Sequence, residues 1–423
     1  MNVLILGGGG REHALAWKIK QSPLLQKLYC APGNAGTATL AQNIDIKPTD
    51  FEAVAQKCKA LQVDMVVVGP EAPLVNGLVD YFAERPELQK IAVIGPSQKA
   101  ARLEGSKDFS KQFMQRHGIP TAAHATFTGS EIKEAQQYLA QCRPPYVLKA
   151  DGLAAGKGVL IIEELQEAQR EVEAMLSGKF GEASSSVLIE EFLKGREFSV
   201  FALTDGKSYK LLPEAKDYKR IGEGDTGLNT GGMGAISPVP FCDAALMQKV
   251  EEKIVKPTIA GLAKENLPYK GFLFFGLIEV QGEPRVIEYN VRLGDPETEV
   301  VLPALKSDLL AHLQAVAQQK LKAEKLEVNS GTFTTVMAVS GGYPEAYEKG
   351  KKVIGIKEVT EGTVFHAGTS VNEKGEVLTS GGRVLCVTAQ GNDKAEALAK
   401  SYRGLKTICY DKIYYRSDIA YDV

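Results

Sequence analysis

The sequence of 423 residues is poor in cysteine, has a single tryptophan and shows no excess of charge of either sign. Its six cysteines are scattered without a C-x-x-C pair, which argues against a zinc site and against the disulfide framework of a secreted protein. We expect all six to be reduced and buried. Lys and Arg number 50 against 52 Asp and Glu, a net charge of −2, so the balance indicates neither nucleic acid nor an anionic membrane as the main partner.

Long apolar runs are absent as well. No segment has the roughly 20 apolar residues of a membrane span. The first apolar run, residues 3–6, stops at glycines and then at Arg11 and Glu12, and it is too short for a signal peptide. An apolar fraction of 44% and a charged fraction of 24% are typical of a soluble folded protein. We therefore predict a cytoplasmic protein without a membrane partner.

The N-terminal part of the chain alternates strand and helix patterns. Short apolar runs at 3–6, 64–68 and 91–94 end at glycine turns and are separated by helical stretches such as 51–61 and 74–83. This order predicts a parallel, doubly wound sheet. Ligands of such sheets bind beyond the carboxyl ends of the strands.

The next part of the chain predicts a small subdomain. Two strands, 146–149 and 158–162, flank a glycine-rich loop. A helix at 165–176 and a strand at 187–192 follow. These elements together indicate a unit that is able to move as a lid.

The remaining sequence is rich in strands. Runs at 271–280 and 285–291 predict an antiparallel hairpin around Gly282 and Glu283. The fold class is therefore mixed, with α/β and α+β parts. The last segment predicts a small β-rich domain that ends with a strand at 383–389, a helix at 393–403 and a strand at 406–409.

A tract of four glycines, residues 7–10, follows the first strand and opens a helix. It does not complete the dinucleotide pattern G-x-G-x-x-G, because Glu12 or His13 falls at the last position, and the expected acidic residue is missing near Tyr29. Backbone amides at a helix N-terminus bind phosphate, so we interpret the tract as a site for a phosphorylated small molecule. The alternative, a permissive turn, needs only one or two glycines.

The most informative stretch is 147–159. Lys149 lies at a strand end, and a loop with three glycines and Lys157 follows. Such a loop is suited to fold over a triphosphate, because phosphoryl transfer is catalysed mainly by positioning and by cations that hold the phosphates. The alternative is a surface hairpin with solvated lysines. The P-loop pattern G-x-x-x-x-G-K-[ST] is absent.

The segment 189–193 is suited to hold an adenine. A carboxylate such as that of Glu190, or a backbone carbonyl, accepts the exocyclic amine, while apolar neighbours stack on the ring. Glu197 is suited to accept hydrogen bonds from ribose hydroxyls. The alternative is a solvated strand edge.

Glu288, Asn290 and Arg292 alternate along one predicted strand and therefore share one face. A carboxylate and an amide oxygen are ligands suited to Mg²⁺, whose other positions go to phosphate oxygens and water. A guanidinium beside them suits a carboxylate or a transferring phosphoryl group. The strand is therefore a candidate metal site.

Glu279 is a further candidate metal ligand. If the hairpin turn is centred on Gly282 and Glu283, Glu279 lies opposite Val286 and shares the face of the metal strand. The alternative for the whole strand is the polar outer face of an antiparallel sheet. That alternative explains less well why the polar run continues through 294–297.

Two further clusters are suited to hold anions, although both are also compatible with plain loops. Residues 216–220, Lys-Asp-Tyr-Lys-Arg, concentrate charge. Residues 229–234, Asn-Thr-Gly-Gly-Met-Gly, offer backbone amides and small polar groups.

With the lid, the adenine segment and the metal strand in this order, the middle of the chain resembles the ATP-grasp superfamily. Within it, the chain resembles the glycinamide ribonucleotide synthetase (phosphoribosylamine–glycine ligase) family essentially from end to end. The motifs that carry this resemblance are Gly-Gly-Arg-Glu-His-Ala at 9–14, Pro-Gly-Asn-Ala-Gly-Thr at 32–37, Gly-Pro-Glu-Ala-Pro-Leu at 69–74, Leu-Glu-Gly-Ser-Lys at 103–107, Asn-Thr-Gly-Gly-Met-Gly-Ala at 229–235 and Arg-Leu-Gly-Asp-Pro-Glu at 292–297.

The resemblance implies an ATP-dependent ligase that uses Mg²⁺ or Mn²⁺. It would join glycine to 5-phosphoribosylamine through glycyl phosphate, giving glycinamide ribonucleotide, ADP and phosphate in purine biosynthesis. Its partners would be these small molecules, and its working form a monomer or a weak homo-oligomer. The implied domains are an N-terminal phosphoribosylamine-binding domain at 1–103, an ATP-grasp domain at 104–326 with its lid at about 123–190, and a C-terminal domain at 327–423.

Carried over by position, the resemblance implies a role for each candidate residue. Those implied for ATP phosphates are Lys107, Lys149, Gly156, Lys157 and Gly158; for adenosine, Glu190, Leu193 and Glu197; and for the metal ion, Glu288 and Asn290. Those implied for catalysis at glycine and its acyl phosphate are Arg292, Asp295 and Lys157, and for substrate binding Gly9, Gly10, Asn34, Glu71, Asp217 and Lys219.

The chain departs from the family pattern at a few positions. Lys216 and Tyr218 stand where the family usually has Gln and His, and Leu293 stands where Phe is usual. Glu279 is not a usual family position. The departure at Tyr218 argues against a role for a histidine at that place and leaves the metal and lid residues untouched.

Three alternatives to the ligase stay open at this point. One is another ATP-grasp ligase with a different carboxylate or amine, against which the phosphate-binding glycine tract favours a phosphorylated amine. A second is a nucleotide-binding regulatory module without turnover, against which Glu288, Asn290 and Arg292 argue. A third, an NAD oxidoreductase, is disfavoured by the incomplete dinucleotide pattern.

Overall fold

The N-terminal region is built around a parallel sheet. A computed structural model describes residues 1–152 and 158–423, so the predicted loop residues Gly156 and Lys157 lie outside the described residues. The strands are β1 (Asn2–Gly7), β2 (Lys27–Pro32), β3 (Gln42–Asn43), β4 (Met65–Val68) and β5 (Ala92–Pro96), and the helices are α1 (Gly10–Ile19), α2 (Phe51–Ala60), α3 (Glu71–Val75), α4 (Leu78–Ala83) and α5 (Gln98–Gly105).

These strands pair in the order β3-β2-β1-β4-β5, and every pair is parallel. Alternate residues of β1 enter two different cores. Val3 and Ile5 pack with α1 in one core, whereas Leu4 and Leu6 pack with α2 in the other. A parallel strand that is buried on both faces must be apolar throughout. The predicted doubly wound sheet is confirmed.

The predicted helix at 74–83 is not continuous. Helix α3 ends at Val75 and α4 begins at Leu78, because Gly77 between them has a φ of 91°. This left-handed conformation interrupts the helical backbone and is accessible mainly to glycine.

The lid contains four antiparallel strands that pair in the order β6-β9-β7-β8. Helices α7 and α8 close a core of their own over it, in which Leu139 and Val172 pack with Leu148 and Ile189. The lid is therefore a separate packing unit, and its movement stays a prediction. Its elements, with the helix that leads into it, are α6 (Lys107–Arg116), β6 (His124–Thr128), α7 (Ile132–Gln141), β7 (Tyr146–Ala150), β8 (Val159–Ile162), α8 (Leu165–Leu176) and β9 (Ser186–Glu190).

The central region extends the N-terminal sheet. Strand β16 pairs with β10 and β17 along its length, and its first residues, Tyr269 and Lys270, pair antiparallel with β5. The elements of this region are β10 (Arg196–Thr204), β11 (Tyr209–Leu211), β12 (Lys216–Asp217), β13 (Arg220–Gly222), β14 (Thr226–Asn229), β15 (Gly234–Ser237), α9 (Ala244–Val250), α10 (Lys256–Lys264), β16 (Tyr269–Val280), β17 (Glu283–Asn290), α11 (Thr298–Ala304) and α12 (Leu309–Ala317).

The hairpin of β16 and β17 is present, but its turn lies one residue earlier than predicted. Val280 pairs with Glu283, so the turn residues are Gln281 and Gly282, with φ values of 53° and 82°. Positive φ at both positions is the requirement of the tight turn that matches the twist of a hairpin.

The register of this hairpin shifts farther along, at Leu277. A bulge follows Gly276, and Glu279 pairs with Pro284 rather than with Val286. Glu279 lies between the turn and this bulge, so its pairing with Pro284 follows from the turn, which lies one residue earlier than predicted.

The C-terminal region is packed on a sheet that it shares with the central region. The strand order is β12-β15-β18-β22-β19, so two central strands belong to it. A short second ribbon pairs β20 with β21. The elements are β18 (Thr332–Val339), β19 (Thr363–His366), β20 (Thr369–Val371), β21 (Val377–Thr379), β22 (Arg383–Gly391) and α13 (Lys394–Thr407).

The predicted final strand at 406–409 is wrong, because α13 continues through Thr407. Ala397, Ser401 and Leu405 are buried at helical spacing on one face of α13. That apolar stripe keeps the chain helical up to its last buried residue. Cys409 then forms only an isolated bridge with Ile354.

The cysteines are free, and the expected burial is confirmed in full at three of the six positions. Cys30, Cys58 and Cys386 are buried, and Cys142 and Cys242 are partly buried. Cys409 is exposed, because it lies just beyond the end of α13. Among the helices of the described residues, none combines the length and the apolarity that a membrane span requires.

Candidate active site

Most of the predicted site residues line one cavity of about 610 Å³. Its walls come from β7 and β9 of the lid, from β12, and from β17 with the turn that follows it. A larger cavity of about 850 Å³, near β5, α10 and α12, contains none of the predicted residues. The predicted residues that line the smaller cavity are Lys149, Glu190, Leu193, Glu197, Asp217, Lys219, Glu288, Asn290, Arg292 and Asp295.

Glu190 is held on one side by two lysines. Its Oε2 lies 3.0 Å from Nζ of Lys149 and 3.2 Å from Nζ of Lys111, which also donates to Oγ1 of Thr121 at 2.7 Å. Burial raises the pKa of Glu190, but the two lysines lower it by more, so the carboxyl group is ionised. Its Oε1 is buried without a partner among the described residues. One oxygen is therefore fixed, and the other is left for a ligand that donates a hydrogen bond.

Lys111 is a site residue that the sequence analysis missed. Burial lowers its pKa to about 8, although Glu190 opposes this. A signal was present, since Lys111 follows Lys107 by four residues and lies on the same face of α6.

Lys107 does not line the cavity. Its ammonium group donates to the backbone oxygens of Ala150 at 2.8 Å and of Gly152 at 3.1 Å. Asp151 is held by the amide of Asp108 at 2.7 Å. The start of α6 thus fixes the entry to the glycine-rich loop. At its exit, Gly158 accepts a hydrogen bond from the amide of Ala150 at 2.8 Å.

Glu197 and Lys219 form an ion pair across the cavity wall, with Oε2 and Nζ 3.0 Å apart. Lys219 lowers the pKa of Glu197, and Glu197 with Asp217 raises the pKa of Lys219 well above its usual value. Burial raises the pKa of Asp217. Lys219 is therefore a permanent cation at this wall of the cavity.

The metal strand presents its predicted face to the cavity. Glu288 and Asn290 both line it, and Glu288 is exposed there. Their oxygens are hard donors of the kind that Mg²⁺ and Mn²⁺ accept, so the residues present fit such an ion. Among the described residues no group of three or more His, Cys, Asp or Glu side chains is placed to hold a metal ion. A site with a single carboxylate needs further ligands from phosphate oxygens and water.

Glu279 is not a further metal ligand. Its carboxylate lies 2.9 Å from Nε of Arg196 and also accepts a hydrogen bond from the amide of Gly282. These contacts close the hairpin turn. The bulge at Gly276 separates Glu279 in register from Glu288.

Arg292 connects the cavity to the N-terminal region. Its Nη2 lies 2.8 Å from Oε1 of Glu104, and its Nε lies 3.4 Å from Oε2 of Glu71. Burial raises the pKa of Glu104, and Arg292 opposes this rise. The predicted substrate residue Glu71 therefore holds the guanidinium group from outside the cavity.

The glycine tract is partly satisfied by carboxylates of the chain itself. The amide of Gly9 donates to Oε2 of Glu12 at 2.6 Å, and the amide of Arg11 donates to Oδ2 of Asp295 at 3.3 Å. Asp295 also lies 2.9 Å from Nη2 of Arg383. The tract, including Gly10 at the first turn of α1, thus lies against the cavity wall at Asp295. A phosphate bound there must use backbone amides other than those of Gly9 and Arg11.

Asn34 connects the glycine tract to the C-terminal region. Its side-chain amide donates to the backbone oxygens of Gly8 at 3.0 Å and of His366 at 2.7 Å. Its Oδ1 accepts from the amides of Gly36 and Thr37. The structure therefore gives Asn34 a role in shaping the tract, and its predicted contact with substrate stays a prediction.

A strand-borne lysine, a buried carboxylate with an unpaired oxygen and a metal-suited strand face each other between a lid sheet and a larger sheet. This arrangement defines an ATP-grasp protein. Three family models match the chain: the phosphoribosylglycinamide synthetase N domain at residues 1–104, its ATP-grasp (A) domain at 105–298 and its C domain at 333–422. The chain belongs to the phosphoribosylglycinamide synthetase family.

Relatives with this family name are similar over their whole length. The chain is 47% identical over 429 residues to phosphoribosylamine–glycine ligase of Nostoc sp. (strain PCC 7120 / SAG 25.82 / UTEX 2576), covering 100% of both chains. It is 45% identical over 427 residues to the enzyme of Vibrio parahaemolyticus, covering 100% of this chain and 98% of the relative. The crystal structure of phosphoribosylamine–glycine ligase from Thermotoga maritima matches with a TM-score of 0.86 and 36% identity, covering 99% of this chain and 100% of that one.

Proposed function

We propose that this protein joins glycine to 5-phosphoribosylamine at the expense of ATP and forms glycinamide ribonucleotide, ADP and phosphate. The observation that carries the proposal is the single cavity in which Lys149, Glu190, Lys219, Glu288 and Arg292 meet. Family membership supports the choice of substrates. The working form is a monomer or a weak homo-oligomer in the cytoplasm, with neither nucleic acid nor membrane as a partner.

The nucleotide binds between the lid and the metal strand. Oε1 of Glu190, which has no partner among the described residues, accepts a hydrogen bond from the exocyclic amine of adenine. The backbone of Leu193 lies beside it and completes recognition of the ring edge. Glu197 accepts hydrogen bonds from ribose hydroxyls. Lys149 lies at the phosphate side of Glu190, and the predicted contacts of Gly156, Lys157 and Gly158 complete this side.

Glu288 and Asn290 would hold the Mg²⁺ or Mn²⁺ ion. Such an ion, when it is bound with ATP, neutralises the charge of the transferring phosphoryl group. Lys107, which is partly buried and interacts electrostatically with Glu288, adds positive charge to this part of the site.

The reaction has two steps. An oxygen of the glycine carboxylate bonds to the γ-phosphorus while the bond from phosphorus to ADP breaks. The amine nitrogen of phosphoribosylamine then bonds to the carbonyl carbon, the bond from carbon to phosphate breaks, and one proton leaves the nitrogen. Arg292 and Asp295 orient the glycine, and the lid excludes water that would hydrolyse the acyl phosphate.

The phosphorylated amine enters from the N-terminal sheet. Gly9 and Gly10 lie at the start of α1, where the helix dipole favours an anion. Asn34 and Glu71 border this approach, and Asp217 with Lys219 closes it from the other side. Because Asp295 is bonded to the amide of Arg11, the amine site and the phosphoryl site share one wall.

The apparent KM for ATP is expected to rise when the pH is raised above about 8. Burial lowers the pKa of Lys111 to about 8, so the protonated amine fixes Glu190 below this pH and is lost above it. The measurement is the rate of glycine-dependent ADP release against ATP concentration on both sides of this pH.

Lys111→Met is the matched control for this pH effect. It removes the titrating amine but keeps most of the buried volume. The apparent KM for ATP of this variant should be about tenfold higher than that of the wild type below about pH 8, and it should no longer change as the pH is raised above about 8. A pH profile that is the same in both proteins would contradict the role of Lys111.

The experiment that tests the proposed function uses the full chain with ATP, Mg²⁺, glycine and freshly generated phosphoribosylamine. Mass spectrometry should find glycinamide ribonucleotide only when all four components are present. Another ATP-grasp ligase would form no glycinamide ribonucleotide from these four components, and it would release ADP only when its own carboxylate and amine were supplied. A regulatory module would bind ATP and release no ADP, and either outcome would refute the proposal.

A further inference from the structure

The last residues of the chain, 414–423, lie across the loop that carries β13 and β14, and we call them the C-terminal strap. The hydroxyl group of Tyr414 donates to the backbone oxygen of Ile221 at 2.9 Å. The side chain of Arg416 is 0% exposed, and its Nη1 lies 2.7 Å from Oδ1 of Asp225. A buried arginine that is paired in this way fixes the strap to the loop.

Asp422 near the end of the strap accepts contacts from two residues of the same segment. The hydroxyl group of Tyr218 donates to its Oδ1 at 2.7 Å, and Nζ of Lys216 lies 3.2 Å from its Oδ2. Tyr218 is 1% exposed, and its ring lies 5.1 Å from Nζ of Lys216. Both contacts therefore converge on one carboxylate.

The segment that Asp422 holds also carries two residues of the active site. Side chains alternate along an extended chain, so Lys216 and Tyr218 alternate with Asp217 and Lys219. Lys216 and Asp217 form β12, which has a single partner strand, β15, among the described residues. Asp422 itself lines the cavity with Asp217 and Lys219. A short edge strand of this kind depends on side-chain contacts for its position.

We propose that Asp422 is a positioning residue of the active site, whose contacts with Lys216 and Tyr218 fix the segment that presents Lys219 to the cavity. The proposal rests on the proposed function, because Lys219 lies in the cavity assigned to ATP and glycine. The strap thereby makes the end of the C-terminal region part of the catalytic unit.

The test compares Asp422→Ala with the wild-type chain. Loss of the carboxylate should lower kcat for glycine-dependent ADP release about tenfold, because Lys219 is then misplaced at the wall that closes the approach of the amine, and misplacement of this kind costs rate. The KM for ATP should change less than kcat, because the adenine site at Glu190 is untouched and only the pairing of Glu197 with Lys219 is disturbed. Asp411→Ala is the matched control, since Asp411 also pairs with a lysine, Lys351 at 3.1 Å, but does not line the cavity.

A purely structural role for Asp422 gives a different result. It would lower the unfolding temperature and leave kcat normal at temperatures well below the transition, which would overturn the proposal. Lys216→Gln in the Asp422→Ala background removes the unpaired buried ammonium group. The kcat of this double variant should be about threefold or more higher than that of Asp422→Ala alone. No recovery would also count against the proposal.

Hydrogen exchange separates this inference from the proposed function. The amide of Tyr218 donates to the backbone oxygen of Gly234 at 3.0 Å, and the amide of Thr230 donates to that of Lys219 at 2.8 Å. Both amides should exchange about tenfold faster in Asp422→Ala than in Asp411→Ala, whether or not the wild-type chain forms product. Unchanged exchange would refute the positioning role of Asp422. A wild-type chain that forms no product would refute only the ligase assignment.

Discussion

Glu288→Gln is expected to lower the rate of glycine-dependent ADP release by about 100-fold or more. Glu288 is the exposed carboxylate on the face of the metal strand, and it lines the cavity beside Asn290. Glutamine keeps the size and one donor oxygen but removes the charge, so the divalent ion that accompanies ATP loses its charged protein ligand. The rate is measured in a coupled assay over a range of Mg²⁺ concentrations.

The loss in Glu288→Gln should be partly reversed by raising the Mg²⁺ concentration, because a weaker site is filled by mass action. Glu279→Gln is the matched control. It lies on the same hairpin but pairs with Arg196 and closes the turn, so its kcat should stay within about twofold of the wild type. Near-normal turnover of Glu288→Gln at ordinary Mg²⁺ would contradict the metal assignment.

The cavity could be predicted from the sequence where its residues obey a local rule. Glu288 and Asn290 share a face because side chains of a strand alternate, and the cavity lies on that face. Arg292, just beyond the end of β17, lines the same cavity. Lys149 and Glu190 come from strands that are paired in the lid. These positions need only the strand assignment and the order of the motifs.

The partners of these residues could not be predicted in the same way. Glu104 meets Arg292, and Arg383 meets Asp295, only because distant segments pack together. No local pattern marks either partner. The role of Lys111 could be predicted only in part. Its spacing from Lys107 is visible in the sequence, but its approach to Glu190 depends on how α6 packs against the lid.

The fold was predictable to a similar extent. The apolar run of β1 is uninterrupted because the strand is buried on both faces, so the strand can be recognised from the sequence alone. The errors fall where one residue changes the geometry. Gly77 divides a predicted helix, and the hairpin turn lies one residue earlier than predicted, which pairs Glu279 with Pro284 instead of Val286.

Arg292→Lys is expected to lower kcat about 100-fold, which is the loss typical of removing one well-placed donor to a developing charge. The guanidinium group is held by Glu104 at 2.8 Å, by Glu71 at 3.4 Å and by the backbone oxygen of Leu293 at 3.2 Å, and Arg292 lines the cavity in this fixed position. Lysine keeps the positive charge beside the buried Glu104, and the fold should therefore survive. The flat pair of donors that matches a carboxylate is lost, and the KM for glycine should rise while that for ATP stays within about twofold.

Two measurements separate this explanation for Arg292 from a general loss of structure. With ATP and glycine but no amine, exchange of a labelled bridge oxygen in ATP reports the formation of glycyl phosphate alone, and it should fall in parallel with kcat. Arg285→Lys is the matched control, because Arg285 lies on β17 shortly before Arg292, pairs loosely with Glu191 at 3.9 Å and does not line the cavity. If isotope exchange stayed normal in Arg292→Lys while product formation fell, Arg292 would act on the amine step, and the glycine assignment would be wrong.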